Sequence, residues 1–217
     1  IERRDAFSQG LEDIRLYEHG NNLRFIATTI GYNNQNNGSR MVIGDYDHHN
    51  LCYNNAKLIN SPENAYFEKN WAPINNHNRE LFVYKWNPLE ICELVDDRLQ
   101  PFCSYSTESV PLLQKCKGST PFTKYKDNQY IGLVHYSEET TPRSYYHIIV
   151  VLDEGFRPIQ MSFPFVFFKS SVEFCMGMMY NENKDESKYI FFISQMDRSP
   201  IVLSINTYQI ILQNITV

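Results

Sequence analysis

Four short apolar runs recur along the chain, and each follows a polar turn rich in Asn, Asp or Gly. The runs contain many β-branched and aromatic residues and lack a helical period, so they predict β-strands. Their starts lie roughly 50–60 residues apart, close to the period expected for the blades of a propeller. The runs cover residues 23–30, 81–86, 130–136 and 189–194.

Each run is followed by a third strand candidate and in places by a shorter fourth, which predicts four strands per repeat. The third candidates are 41–47, 89–95, 145–153 and 201–210, and the fourth include 57–60 and 158–161. We therefore expect one all-β domain over 1–217, with repeats at about 11–61, 67–108, 116–162 and 172–217. The predicted fold is a five-bladed β-propeller with four blades evident here, the first lying upstream or coming from another chain. A β-sandwich of many short strands is the alternative, but it does not explain why the repeats share their chemistry.

Composition narrows the class of protein. The chain has 217 residues, 42% of them hydrophobic and 14% aromatic, which is enough for a sizeable core. The net charge of −5 and the scattered Lys and Arg residues argue against a nucleic-acid partner. No apolar run approaches the roughly 18 residues of a membrane span, and no secretory leader is visible. The five cysteines lack CxxC spacing, so we expect free thiols in the cytoplasm or another reducing compartment.

The first strand of each propeller repeat lines the central channel, and here those segments are polar. They cover residues 11–15, 68–71, 118–121 and 172–174. Carboxylates, cations and an indole that meet in one cleft suit a sugar beside an anion or a developing charge. The alternative is a buried ion network that closes the channel.

Asp13 is the candidate proton donor, and Arg15 follows two residues later on the same face of the predicted strand. Glu12 then points to the opposite face and is interpreted as structural. No second carboxylate stands at a readable spacing, so the sequence alone does not support a two-carboxylate glycosidase.

Further candidate ligand contacts lie in or beside these segments. Lys69 is a candidate for phosphate or sugar hydroxyls, although a lone lysine is often a solvated surface group. His135 ends an apolar strand and could equally be a core histidine with satisfied hydrogen bonds. The remaining channel and rim candidates are Asn70, Trp71, Ser119, Thr120, Arg143, Tyr146, His147 and Glu173. Glycine-rich phosphate loops, HExxH and GxSxG motifs do not occur, so nucleotide-cofactor, zinc-protease and serine-hydrolase readings lack support.

The order of these motifs resembles the β-mannoside phosphorylase and hydrolase family of five-bladed propellers, glycoside hydrolase family 130. Leu11-Glu-Asp-Ile-Arg15 looks like the family's Glu-Asp-Pro-Arg strand, and Lys69-Asn70 looks like its Lys-Asn segment. Gly118-Ser-Thr-Pro121 with Val134-His135 is similar to its Gly-x-x-Pro and Tyr-His pair. Ser194-Gln-Met-Asp197 looks like its late Gly-Ala-Ala-Asp segment.

The resemblance implies an inverting glycoside phosphorylase, hydrolase or transferase with Asp13 as the proton donor, acting through a sugar hydroxyl. It implies that Arg15 and Lys69 hold phosphate or substrate, and that Asp197 contributes to the site. It requires no metal or other cofactor and leaves inorganic phosphate as the one candidate co-substrate. Tyr84-Lys85-Trp86 stands where phosphorylases have a His-Arg pair, which weakens phosphorolysis.

The chain also resembles a divergent branch of this fold attached to large bacterial and viral glycosyltransferases. In that branch Glu-Lys-Asn-Trp, Tyr-x-Trp-x-Pro-Leu and Gly-Ser-Thr-Pro recur in one module, as they do here. The expected partners are therefore a glycan and an upstream glycosyltransferase domain. The alternative function is a non-catalytic glycan-binding or scaffolding propeller, and a third reading is a protein-interaction propeller with a closed channel.

Overall fold

The structure is a computed structural model that describes residues 10–30, 38–169, 172–182 and 187–217. Nearly all regular structure in these ranges is β, arranged in four antiparallel sheets that we call blades 1 to 4. Blade 1 contains β1 (Glu12–His19), β2 (Asn22–Ile30), β3 (Ser39–Asp47) and β4 (Cys52–Leu58). Blade 2 contains β5 (Ala72–Ile74), β6 (Leu81–Trp86), β7 (Leu89–Val95) and β8 (Arg98–Tyr105).

Blades 3 and 4 follow the same antiparallel plan. Blade 3 contains β9 (Lys117–Gly118), β10 (Thr123–Lys124), β11 (Tyr130–Glu138), β12 (Ser144–Leu152) and β13 (Pro158–Ser162). Blade 4 contains β14 (Glu173–Asn181), β15 (Lys188–Gln195) and β16 (Ser199–Asn206), and a last strand is β17 (Leu212–Asn214). Short 3₁₀ helices cover Leu113–Lys115, Lys126–Asn128 and Thr207–Gln209. No helix in the described residues is long and apolar enough to cross a bilayer.

The predicted second strands lie in four different sheets, as β2, β6, β11 and β15. Each of them pairs with its predicted third strand, namely β3, β7, β12 or β16. The all-β propeller prediction is therefore confirmed with four blades, and the sandwich alternative is wrong. The fifth blade of the prediction is not among the described residues.

The middle strands of blade 3 are continuously apolar because neighbouring blades cover both of their faces. On β11, Val134 packs toward blade 2, whereas Ile131 and Leu133 pack toward blade 4. Successive side chains on a strand point to opposite faces, so a strand buried on both sides reads as an unbroken hydrophobic run. Each such side chain, when fully buried, contributes about 1.5–3 kcal/mol to folding.

Separate cores join blades 1 and 2, blades 2 and 3, and blades 3 and 4. The first of these cores includes an edge-to-face contact between Tyr17 of β1 and Phe82 of β6, with ring centroids 5.6 Å apart. The innermost strands surround a channel, where Arg15 of β1 donates a hydrogen bond to the carbonyl of Trp71, just before β5. Strands β1 and β14 also touch, which brings blade 4 beside blade 1.

The end of the chain departs from the predicted fourth repeat, 172–217. Strand β17 pairs with β13, so it extends blade 3 instead of completing blade 4. The Ile215 amide donates to the carbonyl of Ile159, and the Ile215 side chain packs on the core of blades 2 and 3. Burial of Ile215 against this existing apolar core therefore holds the last segment at the edge of blade 3.

All five cysteines are free thiols.

Candidate functional site

A cleft of about 550 Å³ opens at one end of the channel, and residues from all four blades line it. We call it the central cleft. Its mixed acidic, basic and aromatic lining is typical of a site that binds a polar ligand. The lining residues are Glu12, Asp13, Lys69, Asn70, Lys117, His135, Ser137, Arg143, Tyr145, Val172, Phe174, Met176, Ser194 and Asp197.

A β-bulge places Asp13 in the central cleft. Glu12 pairs with Thr28 and Arg15 pairs with Ile26, so two residues of β1 oppose a single residue of β2. Asp13 adopts a positive φ of 52°, a conformation that costs most residues roughly 1–2 kcal/mol but that Asp and Asn tolerate best. The bulge interrupts the alternation of the strand, and Glu12 and Asp13 both line the cleft. The prediction that Glu12 faces away was therefore wrong.

Arg15 lies behind the cleft instead of lining it. Its side chain is buried, donating to the carbonyl of Trp71 at 2.8 Å and to Oδ1 of Asn70 at 3.4 Å. Its guanidinium also faces the ring of Phe174. Burial lowers the pKa of Arg15 to about 10, and the charge of Asp13 partly offsets this effect. The structure thus separates Arg15 from the ligand position predicted for it, because the bulge turns the two side chains apart.

Three cationic side chains line the central cleft: Lys69, Lys117 and Arg143. Burial and then the charges of Lys69 and Arg143 lower the pKa of Lys117, so repulsion among the cations is not fully compensated. Arg143 pairs with Glu139 at 2.8 Å. Among the described residues, no salt bridge joins Lys69 or Lys117 to an acid, and none joins Asp13 to a cation.

His135 forms part of the wall of the cleft and is held by Ser119. Its Nδ1 lies 2.7 Å from the Ser119 hydroxyl, and its ring packs edge-to-face on Phe174. Burial, together with the positive charges around it, places the pKa of His135 well below its ordinary value. The imidazole is therefore neutral and can exchange hydrogen bonds with a ligand hydroxyl. Ser119 is fully buried and acts only through His135.

Five other predicted contacts lie outside the cleft. Thr120 is buried and accepts the backbone N–H of Leu133, which holds β11 in place. Trp71 belongs to the core between blades 1 and 2. The ring of Tyr146 stacks on Tyr136 at 5.0 Å.

His147 and Glu173 form the remaining pair, and both side chains are fully buried behind the cleft. The Glu173 carboxylate accepts the backbone N–H groups of Phe167 and Phe168, and it lies 3.7 Å from Nε2 of His147. Burial raises the pKa of Glu173 and lowers the pKa of His147 to about 3. This pair anchors the segment around Phe167 and does not reach a ligand.

Buried His147 makes the stability of the fold depend on pH. Below the ordinary pKa of 6.5 the unfolded chain binds a proton at this histidine, while the folded chain binds none until about pH 3. The free energy of unfolding should therefore fall as the pH decreases from 6.5, by about 1.4 kcal/mol per pH unit. Urea unfolding at pH 7 and pH 5 should show a smaller difference for His147→Phe than for the wild type. Burial raises the pKa of Glu173, so this residue changes the free energy of unfolding with pH in the opposite direction, and it does so in both proteins. The prediction is contradicted if the wild type and His147→Phe lose the same free energy of unfolding between pH 7 and pH 5.

Asp197 brings a third carboxylate into the central cleft, in addition to those of Glu12 and Asp13. It follows β15 in a turn, with a positive φ of 52°, and Ser194 of the same blade lines the cleft beside it. Sequence spacing could not relate Asp197 to Asp13, because the two lie in the first and last blades. Asp197 was predicted from the resemblance alone, whereas Lys117 was missed, although it directly precedes the predicted segment 118–121. Three further lining residues were missed although each lies close to a predicted position: Ser137, Tyr145 and Met176. Phe174 lies within the predicted channel segment 172–174.

No group of three or more His, Cys, Asp or Glu side chains in the described residues is arranged to hold a metal ion. The expectation that the site needs no metal stays a prediction.

A larger and mostly apolar cavity of about 710 Å³ lies on the other side of Arg15. Its walls include Ile14 and Leu16 of β1, and Met179 and Phe192 of blade 4. Met176 lines both this cavity and the central cleft, whereas Arg15 lines the cavity only.

No protein-family model and no curated protein sequence matches the chain. Among solved structures, the chain is similar to a GH43 endo-arabinanase from Bacillus licheniformis, with 9% identity and a TM-score of 0.48 over 89% of this chain and 72% of that one. It is also similar to an α-L-arabinanase of Cellvibrio cellulosa, with 11% identity and a TM-score of 0.49 over 94% and 76%. The same enzyme in complex with arabinohexaose gives 11% identity and a TM-score of 0.47 over 94% and 76%. Likenesses at this level do not assign a family to the chain.

Proposed function

We propose that this chain is a glycan-active propeller domain that cleaves or transfers a glycoside in the central cleft, with Asp13 as the proton donor. The observation that carries the proposal is the position of Asp13, half-buried in an open cleft and joined to no cation by a salt bridge within the described residues. A closed channel with Asp13 paired to Lys69 would instead favour a scaffold. The resemblance of segment 11–15 to a catalytic strand supports the same assignment.

The cleft offers a group for each part of an inverting cleavage. Asp13 gives its proton, through a sugar hydroxyl, to the glycosidic oxygen as the bond from that oxygen to the anomeric carbon breaks. A water attacks the opposite face of the sugar and loses its proton to Asp197, which acts as the general base. Neutral His135 holds a sugar hydroxyl, and the rings of Tyr145 and Phe174 contact the apolar face of a sugar.

Phosphorolysis is the less favoured form of this reaction. Lys85, at the position where phosphorylases carry a cationic pair, is held by Glu63 and lies 3.3 Å from Glu90. Its charge is thus already neutralised. If phosphate binds in the cleft, Lys69 and Lys117 are the cations that remain to hold it. We also propose, from the resemblance alone, that the glycoside is a β-mannoside.

A fifth blade between blades 4 and 1 completes the proposed ring. The outward face of blade 4 carries apolar side chains in solvent, with Val202 66% exposed, Met179 54% exposed and Phe192 39% exposed. Apolar patches of this kind mark surfaces that pack against another element. A further blade would have to separate β1 from β14 where Arg15 approaches Phe174. An experimental structure of the intact protein with this face left in solvent would contradict the proposal.

Non-catalytic glycan binding, as a module of a larger glycosyltransferase, is the second candidate function. The buried contacts of Arg15 behind the cleft, together with the Tyr17–Glu80–Arg24 network between blades 1 and 2, favour a rigid binding platform.

A panel of aryl glycosides and oligosaccharides, incubated with and without inorganic phosphate, separates the two candidates. We expect hydrolysis without phosphate, and proton NMR should show the product first in the anomeric form opposite to that of the substrate. Glycan binding without turnover of any substrate would instead support the binding module. Products that require phosphate would establish phosphorolysis and contradict the role given to water.

A further inference from the structure

The central cleft continues sideways into a second depression of about 450 Å³ between blades 2 and 3. We call it the side groove. Lys69, Asn70 and Lys117 line both spaces, so they form the threshold between them. The other lining residues of the side groove are Phe67, Tyr84, Lys85, Trp86, Cys116 and Gly118. Each volume alone falls in the usual range for a small-molecule site, and the two together suit an elongated ligand.

Close contact between blades 2 and 3 forms the base of the side groove. A Cβ atom on Gly118 would lie 2.4 Å from the carbonyl oxygen of Asn70, so only glycine permits this approach. Asn70 has a positive φ of 63°, which turns the chain there. The threshold is therefore built on tightly packed backbone.

An unusually exposed aromatic side chain lines the side groove. Phe67 is 65% exposed, and its ring meets Tyr66 edge-to-face at 4.6 Å. Leaving a phenyl ring in water forgoes its hydrophobic stabilisation, and an aromatic face beside a polar groove suits stacking against the apolar face of a sugar.

The charge at the threshold is positive and only partly compensated, since Glu139 offsets some of the effect that burial, Lys69 and Arg143 have on the pKa of Lys117. Neither Lys69 nor Lys117 forms a salt bridge within the described residues, whereas Lys85, farther along the side groove, is neutralised by Glu63 and Glu90. The lowered pKa of Lys117, caused by burial and by its cationic neighbours, supports this account. An anionic group on the ligand would relieve the repulsion.

We propose that the ligand is an acidic oligosaccharide, longer than a disaccharide, that crosses the threshold at Lys69 and Lys117 and stacks a sugar on Phe67. This inference rests on the proposed glycan function and names its substrate class. The anionic group is a carboxylate or a phosphate carried on the sugar chain, and the two share the same charge-assisted contacts with the lysines.

A printed array of defined oligosaccharides tests this inference on the full 217-residue chain. The array carries uronate-bearing, phosphorylated and neutral chains of two to six sugars, and soluble inorganic phosphate serves as a competitor. We expect the wild type to bind acidic chains above neutral ones, more tightly with length, and less tightly at high ionic strength. The uronate and phosphorylated arms show which anion is preferred.

Two variants, each with a matched control, locate the contacts. Lys117→Gln should weaken binding of acidic chains by about tenfold and leave neutral chains unchanged, because it removes a charge-assisted contact. Lys115→Gln, at an exposed lysine nearby that lines neither space, should have no effect. Phe67→Ala should remove most of the gain with chain length, whereas Phe163→Ala, at another exposed phenylalanine, should not.

The outcomes separate this inference from the proposed function. Equal binding of neutral and acidic chains, or an unchanged preference in Lys117→Gln, overturns the inference and leaves a glycan-binding cleft intact. Binding of acidic disaccharides as tight as that of the longer acidic chains also overturns it. Absence of binding to every glycan on the array contradicts both the inference and the proposed function.

Discussion

Replacing Asp13 with asparagine is expected to lower glycoside turnover by at least about 10²–10⁴-fold while the protein keeps its fold and most of its glycan binding. Asparagine matches the shape of the carboxyl group but cannot release a proton to the leaving oxygen. It also tolerates the positive φ of the bulge, whereas alanine would add backbone strain and confuse the comparison. Turnover, glycan affinity and thermal melting should be measured on the same preparation.

Glu12→Gln is the matched control for Asp13→Asn, because Glu12 is the neighbouring carboxylate of the same cleft. It should retain turnover within a few-fold of the wild type. If Asp13 instead stabilises the channel through its charge interaction with Arg15, Asp13→Asn leaves a buried cation uncompensated. The free energy of unfolding should then fall by roughly 3–5 kcal/mol. An Asp13→Asn protein with normal melting and full turnover would remove Asp13 from the mechanism.

The repeat could be read from the sequence because the second strand of each blade buries apolar side chains against at least one neighbouring blade. Strands such as β11 and β12 bury both faces and therefore form long apolar runs bounded by polar turns. That signal is local, and it does not depend on which blade follows which. Polar segments precede these runs, and Asp13, Lys69 and Asn70 from two of those segments line the central cleft.

The details of the cleft depend on features that have no local signal. The bulge between Glu12 and Arg15 changes which face of β1 each later side chain occupies. A strict two-residue alternation along the strand cannot predict this change. Asp197 and Lys117 reach the cleft only because the chain returns to the same axis in blades 3 and 4. Strand β17 joins blade 3 through contacts with β13, which lies about 50 residues earlier, and no periodicity encodes that choice.

Some polar residues that were predicted to contact a ligand are instead buried in the fold. The position of a residue in a sequence motif does not show whether its side chain is buried. His147 and Glu173 interact with a buried segment, although both were predicted as channel or rim contacts. Trp71 is the clearest example of this kind. It directly follows the cleft residue Asn70, yet its indole lies in the core between blades 1 and 2 and is 1% exposed.

Trp71→Ala should therefore destabilise the protein strongly without changing the contacts of the cleft. The indole packs edge-to-face on Tyr84 at 5.6 Å, and its N–H donates to Oε2 of Glu68 at 3.2 Å. Truncating a buried tryptophan leaves a large cavity and costs about 3–5 kcal/mol. For a chain of this length, such a loss should lower the melting temperature by roughly 6–20 °C.

Two further variants keep the Trp71 prediction testable if the alanine variant fails to fold. Trp71→Phe retains most of the ring and loses only the hydrogen bond to Glu68, so its melting temperature should lie between those of the wild type and Trp71→Ala. Phe163→Ala removes an exposed ring instead, and its free energy of unfolding should stay within about 0.5 kcal/mol of the wild type. Calorimetry and glycan affinity, measured well below each melting temperature, give the two readouts. If Trp71→Phe melts like the wild type but binds glycan at least tenfold more weakly, Trp71 contacts the ligand and its assignment to the core is wrong.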